Sequence, residues 1–225
     1  MTKEIKELYF SPQSIESKAL EMLQSAKGGQ RSGKFTFHPD RSALLVLDMQ
    51  SYFLDESSHA FVPSGKTIIP RVNGLIDAFN KLQRPIIFTR HINTVENSQL
   101  MTSWWREIIS SDHPLSRIVP ELDPMSGFVV EKSQYDAFFN TNLEDSLRDK
   151  GVKQVVISGV MTHLCCETTA RSAFMRGFEV FFLVDGTATY NETFHRASLT
   201  NLSHGFAELK LAHDILSAFQ GSQHA

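Results

Sequence analysis

The sequence lacks the features that assign chains to several large protein classes. Only 2 of its 225 residues are cysteines, too few for the disulfide framework of a small secreted domain. A net charge of −3 provides neither a basic surface for nucleic acid nor a polybasic patch for a membrane. No apolar run reaches the roughly 18–20 residues that cross a bilayer, and the N-terminus lacks a signal-peptide core. We therefore expect a cytoplasmic protein that binds neither nucleic acid nor membrane.

The N-terminal region has a pattern of its own. Residues 11–27 predict a helix, with Ser11 as its cap and Pro12 in its first turn. Its apolar face would comprise Ile15, Ala19, Leu20, Met22 and Leu23. A flexible joint is predicted by Gly28, Gly29, Ser32 and Gly33. The chain therefore divides into an N-terminal helical extension, residues 1–33, and one main domain, residues 34–225, a size that α/β domains commonly reach.

Short apolar runs alternate with amphipathic stretches through the main domain. The runs predict strands at 43–47, 85–89, 128–132, 154–158, 179–184 and 206–209. The stretches between them predict helices at 70–82, 142–150, 163–176, 191–204 and 212–219. A long connection, residues 91–126, carries a helical patch around Ile108. Because the strands are continuously apolar, helices should cover both faces of the sheet. The pattern predicts a three-layer α/β fold with a mostly parallel, doubly wound sheet.

Polar residues follow most of the predicted strands. In such sheets the ligand crevice lies at the carboxyl ends of the strands. The polar residues there are Asp48, Arg90, His91, Lys132, the segment 158–166 and Asp185. A nucleophilic thiol needs a base to take its proton and a cation to favour the thiolate. Asp48, Lys132 and a cysteine would form such a set.

Helix register separates the two adjacent cysteines. A stripe that packs on a sheet runs through Cys166, Ala170, Ala173, Phe174 and Gly177. Cys165 lies about 100° around the helix from this stripe. It would sit in the first turn, where the helix dipole and free amides lower the pKa of a thiol below about 8.5. We therefore expect Cys165 to be the reactive thiol and Cys166 to be a core residue.

Each of these residues also has a purely structural interpretation. An aspartate at a strand end often only caps a turn, a lone lysine is usually a solvated charge, and a free cysteine is usually buried and inert. The occurrence of Asp48, Lys132 and Cys165 at three strand ends of one sheet favours the catalytic interpretation over these alternatives.

Three longer motifs support a resemblance to a known family. They read LLVLDMQSYF at 44–53, VVEKSQYDAFFNTNL at 129–143 and SGVMTHLCCETTARSAFMRGFEVFFLVDGTATY at 158–190. Over roughly residues 40–215 the chain resembles the isochorismatase-like cysteine hydrolases. The resemblance implies a six-stranded Rossmann-like sheet, a homo-oligomer (a dimer or a tetramer) and a catalytic triad of Asp48, Lys132 and Cys165. It also implies a cis peptide bond between Val160 and Met161, and an oxyanion site formed by the amides of Met161 and Cys165.

Two departures from relatives in that family narrow the expected chemistry. Nicotinamidases of the family carry a D-x-H metal motif after the second strand, where this chain reads FTRHINT. We therefore expect neither a metal nor another cofactor, with nicotinamide a less favoured substrate and His91 a wall or surface residue. Isochorismatases typically have glycine where Cys165 stands, so the cysteine argues for thiol chemistry. The N-terminal helical extension is nevertheless reminiscent of them.

The expected function is hydrolysis of a C–N bond in a small amide, ureido or carbamoyl compound. Two alternatives stay open: vinyl-ether hydrolysis of isochorismate, and a non-catalytic relative that only binds a small molecule. Arg90 could bind a substrate carboxylate bidentately, or pair with a neighbouring acid. The aromatic residues could contact substrate, core or another subunit. The predicted substrate contacts are Gln50, Phe53, Arg90, Trp104, Trp105, Tyr135, Phe138, Thr162 and His163.

Overall fold

The computed structural model describes residues 5–27 and 33–221. Its strands are β1 (Ser42–Leu47), β2 (Ile86–His91), β3 (Phe128–Lys132), β4 (Gln154–Val160), β5 (Glu179–Ala188) and β6 (Glu208–Lys210). Its α-helices are α1 (Ile15–Lys27), α2 (Ser51–Leu54), α3 (Ile69–Lys81), α4 (Met101–Trp104), α5 (Leu143–Asp149), α6 (Glu167–Met175), α7 (Glu192–Gly205) and α8 (Ala212–Gly221). A π-helical turn, Thr162–Cys166, precedes α6 and is called the cysteine turn below.

The six strands form one parallel sheet in the order β3-β2-β1-β4-β5-β6. The chain builds the sheet outward from β1 to β3, then returns to the centre and continues from β4 to β6. The topological switch therefore lies between β1 and β4, whose carboxyl ends flank the crevice expected of such sheets. This arrangement confirms the predicted three-layer, doubly wound α/β fold.

Helices cover the sheet in two groups. Helices α3 and α8 contact each other and the sheet, while α6 and α7 contact each other and α1 packs on α7 and β5. β1 and β4 are buried along their whole length, as their continuous apolar sequences predict. The edge strand β3 is different, with Phe128 54% and Val129 47% exposed.

The structure corrects several predicted boundaries. β2 continues to His91 and β5 to Ala188, so Arg90, His91 and Asp185 lie within strands rather than after them. The helix predicted from residue 11 begins at Ile15, and Leu20, assigned to its buried face, is 45% exposed.

One further prediction, the helix in the long connection, is also corrected, and three others are not tested by the structure. In the long connection, residues 92–127, the helix is α4, four residues or more before Ile108. Residues 28–32 of the predicted joint lie outside the described part of the chain. The division at residue 33 and the homo-oligomer stay predictions. No helix in the described ranges is long and apolar enough to cross a membrane.

Candidate active site

Asp48 lies directly after β1 and is completely buried. Its backbone adopts a left-handed conformation, with φ of 49°, which aspartate tolerates better than most residues. The backbone N–H of Asp48 donates to Thr89 Oγ1 at 3.0 Å, and that hydroxyl donates to Asp48 Oδ1 at 2.6 Å. Thr89, on the neighbouring strand β2, therefore fixes both the turn and the orientation of the carboxylate.

Lys132 ends the edge strand β3, and its ammonium meets Asp48 inside the protein. The distance from Lys132 Nζ to Asp48 Oδ2 is 2.7 Å, with both side chains at 0% exposure. The ammonium also donates to the carbonyl oxygen of Gln134 at 2.9 Å. Its remaining contacts, both 3.4 Å long, are to Cys165 Sγ and His91 Nδ1. Lys132 thus connects the carboxylate with the thiol.

A glycine at the end of β4 lets that strand approach β1 closely enough to form this cluster. Gly159 has a φ of +107°, and a Cβ atom there would lie 2.1 Å from the carbonyl oxygen of Leu47. Any other residue would force the two central strands apart. The following peptide bond, between Val160 and Met161, is cis, as the resemblance implied.

The cysteine turn places the two thiols in different surroundings. Cys166 is completely buried in the main hydrophobic core, whereas Cys165 is 6% exposed and contacts Lys132. The register argument therefore separates the two side chains as predicted, although its stripe is wrong at Phe174, which is 40% exposed. Asp48, Lys132 and Cys165 are together called the strand-end cluster below.

Electrostatics within the strand-end cluster favour a charged pair beside a neutral thiol. Burial opposes ionisation of both Asp48 and Lys132, but their mutual attraction outweighs it, so the pKa of Asp48 is lowered and the pKa of Lys132 is raised. Burial raises the pKa of the Cys165 thiol, and the Asp48 carboxylate raises it further against the opposing effect of Lys132. The predicted lowering of this pKa is therefore wrong, because burial and Asp48 outweigh the benefit of a helical turn.

His91 lies beside the cluster rather than on the surface. It is 7% exposed, and its Nε2 contacts Asn93 Oδ1 at 2.9 Å. Because Asn93 Nδ2 donates to the carbonyl of Ser133 at 2.9 Å, Oδ1 is the acceptor and His91 carries its proton on Nε2. Burial lowers the pKa of His91 to about 4, and the Lys132 charge lowers it too. A neutral imidazole thus accepts through Nδ1 from the ammonium.

Two predicted substrate contacts instead hold the long connection in place. Gln50 Nε2 donates to the carbonyl oxygens of Ser116 at 2.7 Å and His91 at 3.2 Å, and Gln50 Oε1 accepts from the His91 N–H at 2.7 Å. Arg90 donates to Ser116 O and Oγ, Ser111 O and Glu131 Oε1 at 2.8–3.1 Å. Protein acceptors thus occupy the donors of Gln50 and Arg90, and a substrate contact by either residue stays a prediction.

The predicted aromatic contacts separate into two groups. Trp104 is 78% exposed, and Phe138 packs against Phe178 and Arg176. Phe53 is buried beside Tyr52.

Tyr135 and Trp105 remain as the aromatic pair on the cluster side. Tyr135 lies within the electrostatic range of Cys165 and Lys132, and burial raises the pKa of its hydroxyl. Trp105 Nε1 donates to that hydroxyl at 2.8 Å. This bond links Trp105, in the long connection, to Tyr135.

Thr162 and His163 begin the cysteine turn. Thr162 is completely buried, and its hydroxyl lies 3.3 Å from His195 Nδ1. The His163 ring stacks on Phe194 with centroids 4.4 Å apart, and burial lowers its pKa to about 4. Both side chains thus contact the protein scaffold next to the turn that holds Cys165.

Sequence reasoning missed two contributors to the site, and it placed His91 at the crevice without a partner. Thr89 was included in an apolar strand, and Gln134 contributes only a backbone carbonyl. A signal existed for Thr89 alone, because a hydroxyl within a buried strand needs a hydrogen-bond partner.

Known proteins resemble this chain in sequence and in structure. It is 43% identical over 173 residues to Nicotinamidase 3 of Arabidopsis thaliana, covering 75% of this chain and 83% of that relative. The crystal structure of a cysteine hydrolase from Pseudomonas syringae pv. phaseolicola 1448A superposes with a TM-score of 0.79 at 25% identity, covering 86% of this chain and 99% of that one.

A third relative raises the question of a metal. Pyrazinamidase of Pyrococcus horikoshii, solved in complex with zinc, matches with a TM-score of 0.68 at 29% identity, covering 76% of this chain and 99% of that one. Here His91 directs one nitrogen to Asn93 and the other to a buried ammonium, an arrangement that repels a dication. Among residues 5–27 and 33–221, no three His, Cys, Asp or Glu side chains form a group that could hold a metal ion. The residues present therefore do not fit a bound zinc ion.

The family model for the Isochorismatase domain matches residues 42–214. That range contains all six strands at full length, and it includes the complete strand-end cluster. With a match over more than half of its length, the chain belongs to the isochorismatase family of hydrolases.

Proposed function

We propose that this hydrolase cleaves the C–N bond of a small amide through a covalent thioester on Cys165. The observation that carries the proposal is the position of the Lys132 ammonium, 2.7 Å from Asp48 Oδ2 and 3.4 Å from Cys165 Sγ. A base, a cation and a thiol are thereby assembled at the topological switch, where ligands of such sheets bind.

The first half-reaction forms the thioester. Because the resting thiol is neutral, Cys165 would lose its proton to Asp48 as its sulfur attacks the amide carbon. The backbone amides of Met161 and Cys165 would bind the developing oxyanion. The proton on Asp48 then passes to the departing nitrogen as the C–N bond breaks, which releases an amine or ammonia and restores the carboxylate.

The second half-reaction removes the acyl group. Asp48 takes a proton from water as the water oxygen attacks the thioester carbon. When the C–S bond breaks, Asp48 returns that proton to the released thiolate, which restores both the carboxylate and the thiol. Lys132 is charged in the resting enzyme, since the Asp48 carboxylate outweighs burial and raises the pKa of its ammonium. Its role is to stabilise the thiolate and hold the carboxylate, rather than to attack the substrate.

Nicotinamide is the first amide to test. The name of the 43% identical Arabidopsis relative supports it. The absence of the D-x-H metal motif from this chain is the argument against it. Ureido and carbamoyl compounds offer the same C–N bond to the thiol and follow as the second group. Vinyl-ether hydrolysis is the alternative chemistry, and it would need Asp48 but not Cys165.

The two adjacent cysteines provide a matched test. Purified wild type, Cys165→Ala and Cys166→Ala are assayed for product from nicotinamide, small ureides, carbamoyl compounds and isochorismate. We expect Cys165→Ala to lower kcat on the amide by about 10³-fold or more. Cys166→Ala should retain activity within a few-fold and cost on the order of 1 kcal/mol of stability.

The outcomes separate the chemistries. Undiminished amide turnover in Cys165→Ala would exclude the thioester mechanism. Turnover of isochorismate that survives Cys165→Ala but not Asp48→Asn would establish the vinyl-ether reaction instead. Equal loss in both cysteine variants would show that the pair matters for packing rather than for attack.

A further inference from the structure

The segment before α1 reaches the neighbourhood of the candidate active site from outside the matched family domain. Residues 5–14 precede that domain, which begins at residue 42. Tyr9 is nevertheless only 5% exposed, and its ring packs against Phe10 and His195 with centroids 4.6 and 5.5 Å apart. Its hydroxyl therefore lies deep inside the hydrolase domain.

The Tyr9 hydroxyl makes two hydrogen bonds inside the domain. The backbone N–H of Thr189, just after β5, donates to Tyr9 Oη at 2.9 Å. The hydroxyl also shares a hydrogen bond with His195 Nδ1, which lies 2.8 Å away. Burial lowers the pKa of His195 to about 3, so the ring that bonds to Tyr9 is neutral.

Both partners of Tyr9 also hold the cysteine turn. Thr162 Oγ1 lies 3.3 Å from the same His195 nitrogen, and Thr189 Oγ1 lies 2.5 Å from His163 Nδ1. The Tyr9 hydroxyl thus joins the two groups that fix the first two residues of the turn. Cys165 is two residues further along the same turn.

We propose that Tyr9 is a positioning residue for the cysteine turn, so that the N-terminal segment is a working part of the hydrolase. This role rests on the proposed function, since the turn carries the attacking thiol and both proposed oxyanion amides lie in or beside it. Tyr9, Thr162, Thr189 and His195 are all 5% exposed or less. Without the hydroxyl, the Thr189 N–H and His195 Nδ1 would each lose a partner in a place that water hardly reaches.

Ser64 offers a matched control, because its side chain bonds to the same N-terminal segment. Its hydroxyl accepts the backbone N–H of Phe10 at 3.0 Å, and Ser64 is completely buried. Tyr9→Phe and Ser64→Ala therefore each remove one buried hydroxyl that accepts one backbone N–H. Only the first removal affects groups bonded to the cysteine turn.

The test compares the full-length wild type with these two variants by kinetics and by hydrogen–deuterium exchange. The amides of Leu164 and Cys166 donate to the carbonyl of Met161 at 3.1 and 3.2 Å, so their exchange reports opening of the turn. We expect Tyr9→Phe to lower kcat about tenfold with KM changed less than about twofold, and to speed exchange in a peptide covering 161–166. Ser64→Ala should change neither quantity by more than about twofold.

Each result decides the role of Tyr9. Equal effects of the two variants on kcat and exchange would overturn it, because the segment would then contribute only stability. Wild-type behaviour of Tyr9→Phe would overturn it as well. A wild type that hydrolyses no amide would instead contradict the proposed function, while the exchange comparison would still show whether Tyr9 holds the turn.

Discussion

The strand-end cluster and the long connection are held in different ways. Asp48, Lys132 and Cys165 are 0%, 2% and 6% exposed, and each follows or ends a strand of the sheet. The connection includes residues as exposed as Leu100, at 80%, and Trp104, at 78%. The sheet register positions the first region, whereas individual polar contacts position the second.

The contacts that hold the connection show what this difference means. Gln50 lies between β1 and α2, and Arg90 lies in β2. Both side chains bind the backbone carbonyl of Ser116. Their side chains attach a segment with little regular structure to the sheet. A segment held by a few polar contacts tolerates change more easily than the strand ends that hold the cluster.

The largest expected effect comes from breaking the buried ion pair. Lys132→Met leaves the Asp48 carboxylate buried without its cation, which typically costs about 3–5 kcal/mol of stability. Amide turnover should fall by about 10³-fold or more, because the thiolate also loses its cation. Urea unfolding and steady-state kinetics on the same preparation measure both effects.

The double variant Asp48→Asn/Lys132→Met keeps this prediction testable if the single variant folds poorly. Removing both charges avoids a lone buried charge, so the double variant should be more stable than Lys132→Met yet equally inactive. A double variant less stable than Lys132→Met would contradict the interpretation of this pair as one buried electrostatic unit.

The sequence predicted the cluster better than the connection for a physical reason. A parallel sheet places the ends of all its strands at one edge, so the positions of Asp48 and Lys132 follow once the strands are recognised. The end of β2 was harder, because the strand continues to His91. Adjacent side chains on a strand point to opposite faces, which sends His91 to the cluster and Arg90 to the connection.

Two other features depended on three-dimensional context. The reach of the Lys132 ammonium past His91 to Asp48 depends on the order of strands, which no local pattern encodes. The raised pKa of the Cys165 thiol depends on its burial next to a carboxylate, whereas helix position alone predicts the opposite shift.

The second expected effect concerns pH and two buried histidines, His91 beside the cluster and His195 beside Thr162 of the cysteine turn. Burial lowers the pKa of His91 to about 4 and of His195 to about 3, below the value of about 6.5 in an unfolded chain. The unfolded chain therefore binds more protons below pH 6.5, and the free energy of unfolding falls as the pH decreases from about 6.5 toward about 4. At pH 5 the loss is about 2 kcal/mol per histidine relative to pH 7.

Urea unfolding at pH 7, 6 and 5 measures this loss, and His91→Gln isolates one part of it. Glutamine cannot take up the proton, so the variant should lose about 2 kcal/mol less than the wild type between pH 7 and pH 5. An identical pH dependence in the two proteins would show that His91 does not contribute to the acid sensitivity. That result would contradict the placement of His91 as a buried, neutral side chain beside the cluster.

The smallest expected effect compares the two adjacent tryptophans of the connection. Trp105→Phe removes the donor to the Tyr135 hydroxyl, a bond worth about 0.5–1.5 kcal/mol, so kcat/KM should fall by about two- to tenfold. Trp104→Ala removes a side chain that is 78% exposed and should change kcat/KM by less than about twofold. Tyr135→Phe should match Trp105→Phe, and the two changes together should cost little more than either alone, because they remove the same hydrogen bond. A larger loss from Trp104→Ala than from Trp105→Phe would mean that the exposed tryptophan, rather than the bonded one, forms the substrate-facing side of the connection.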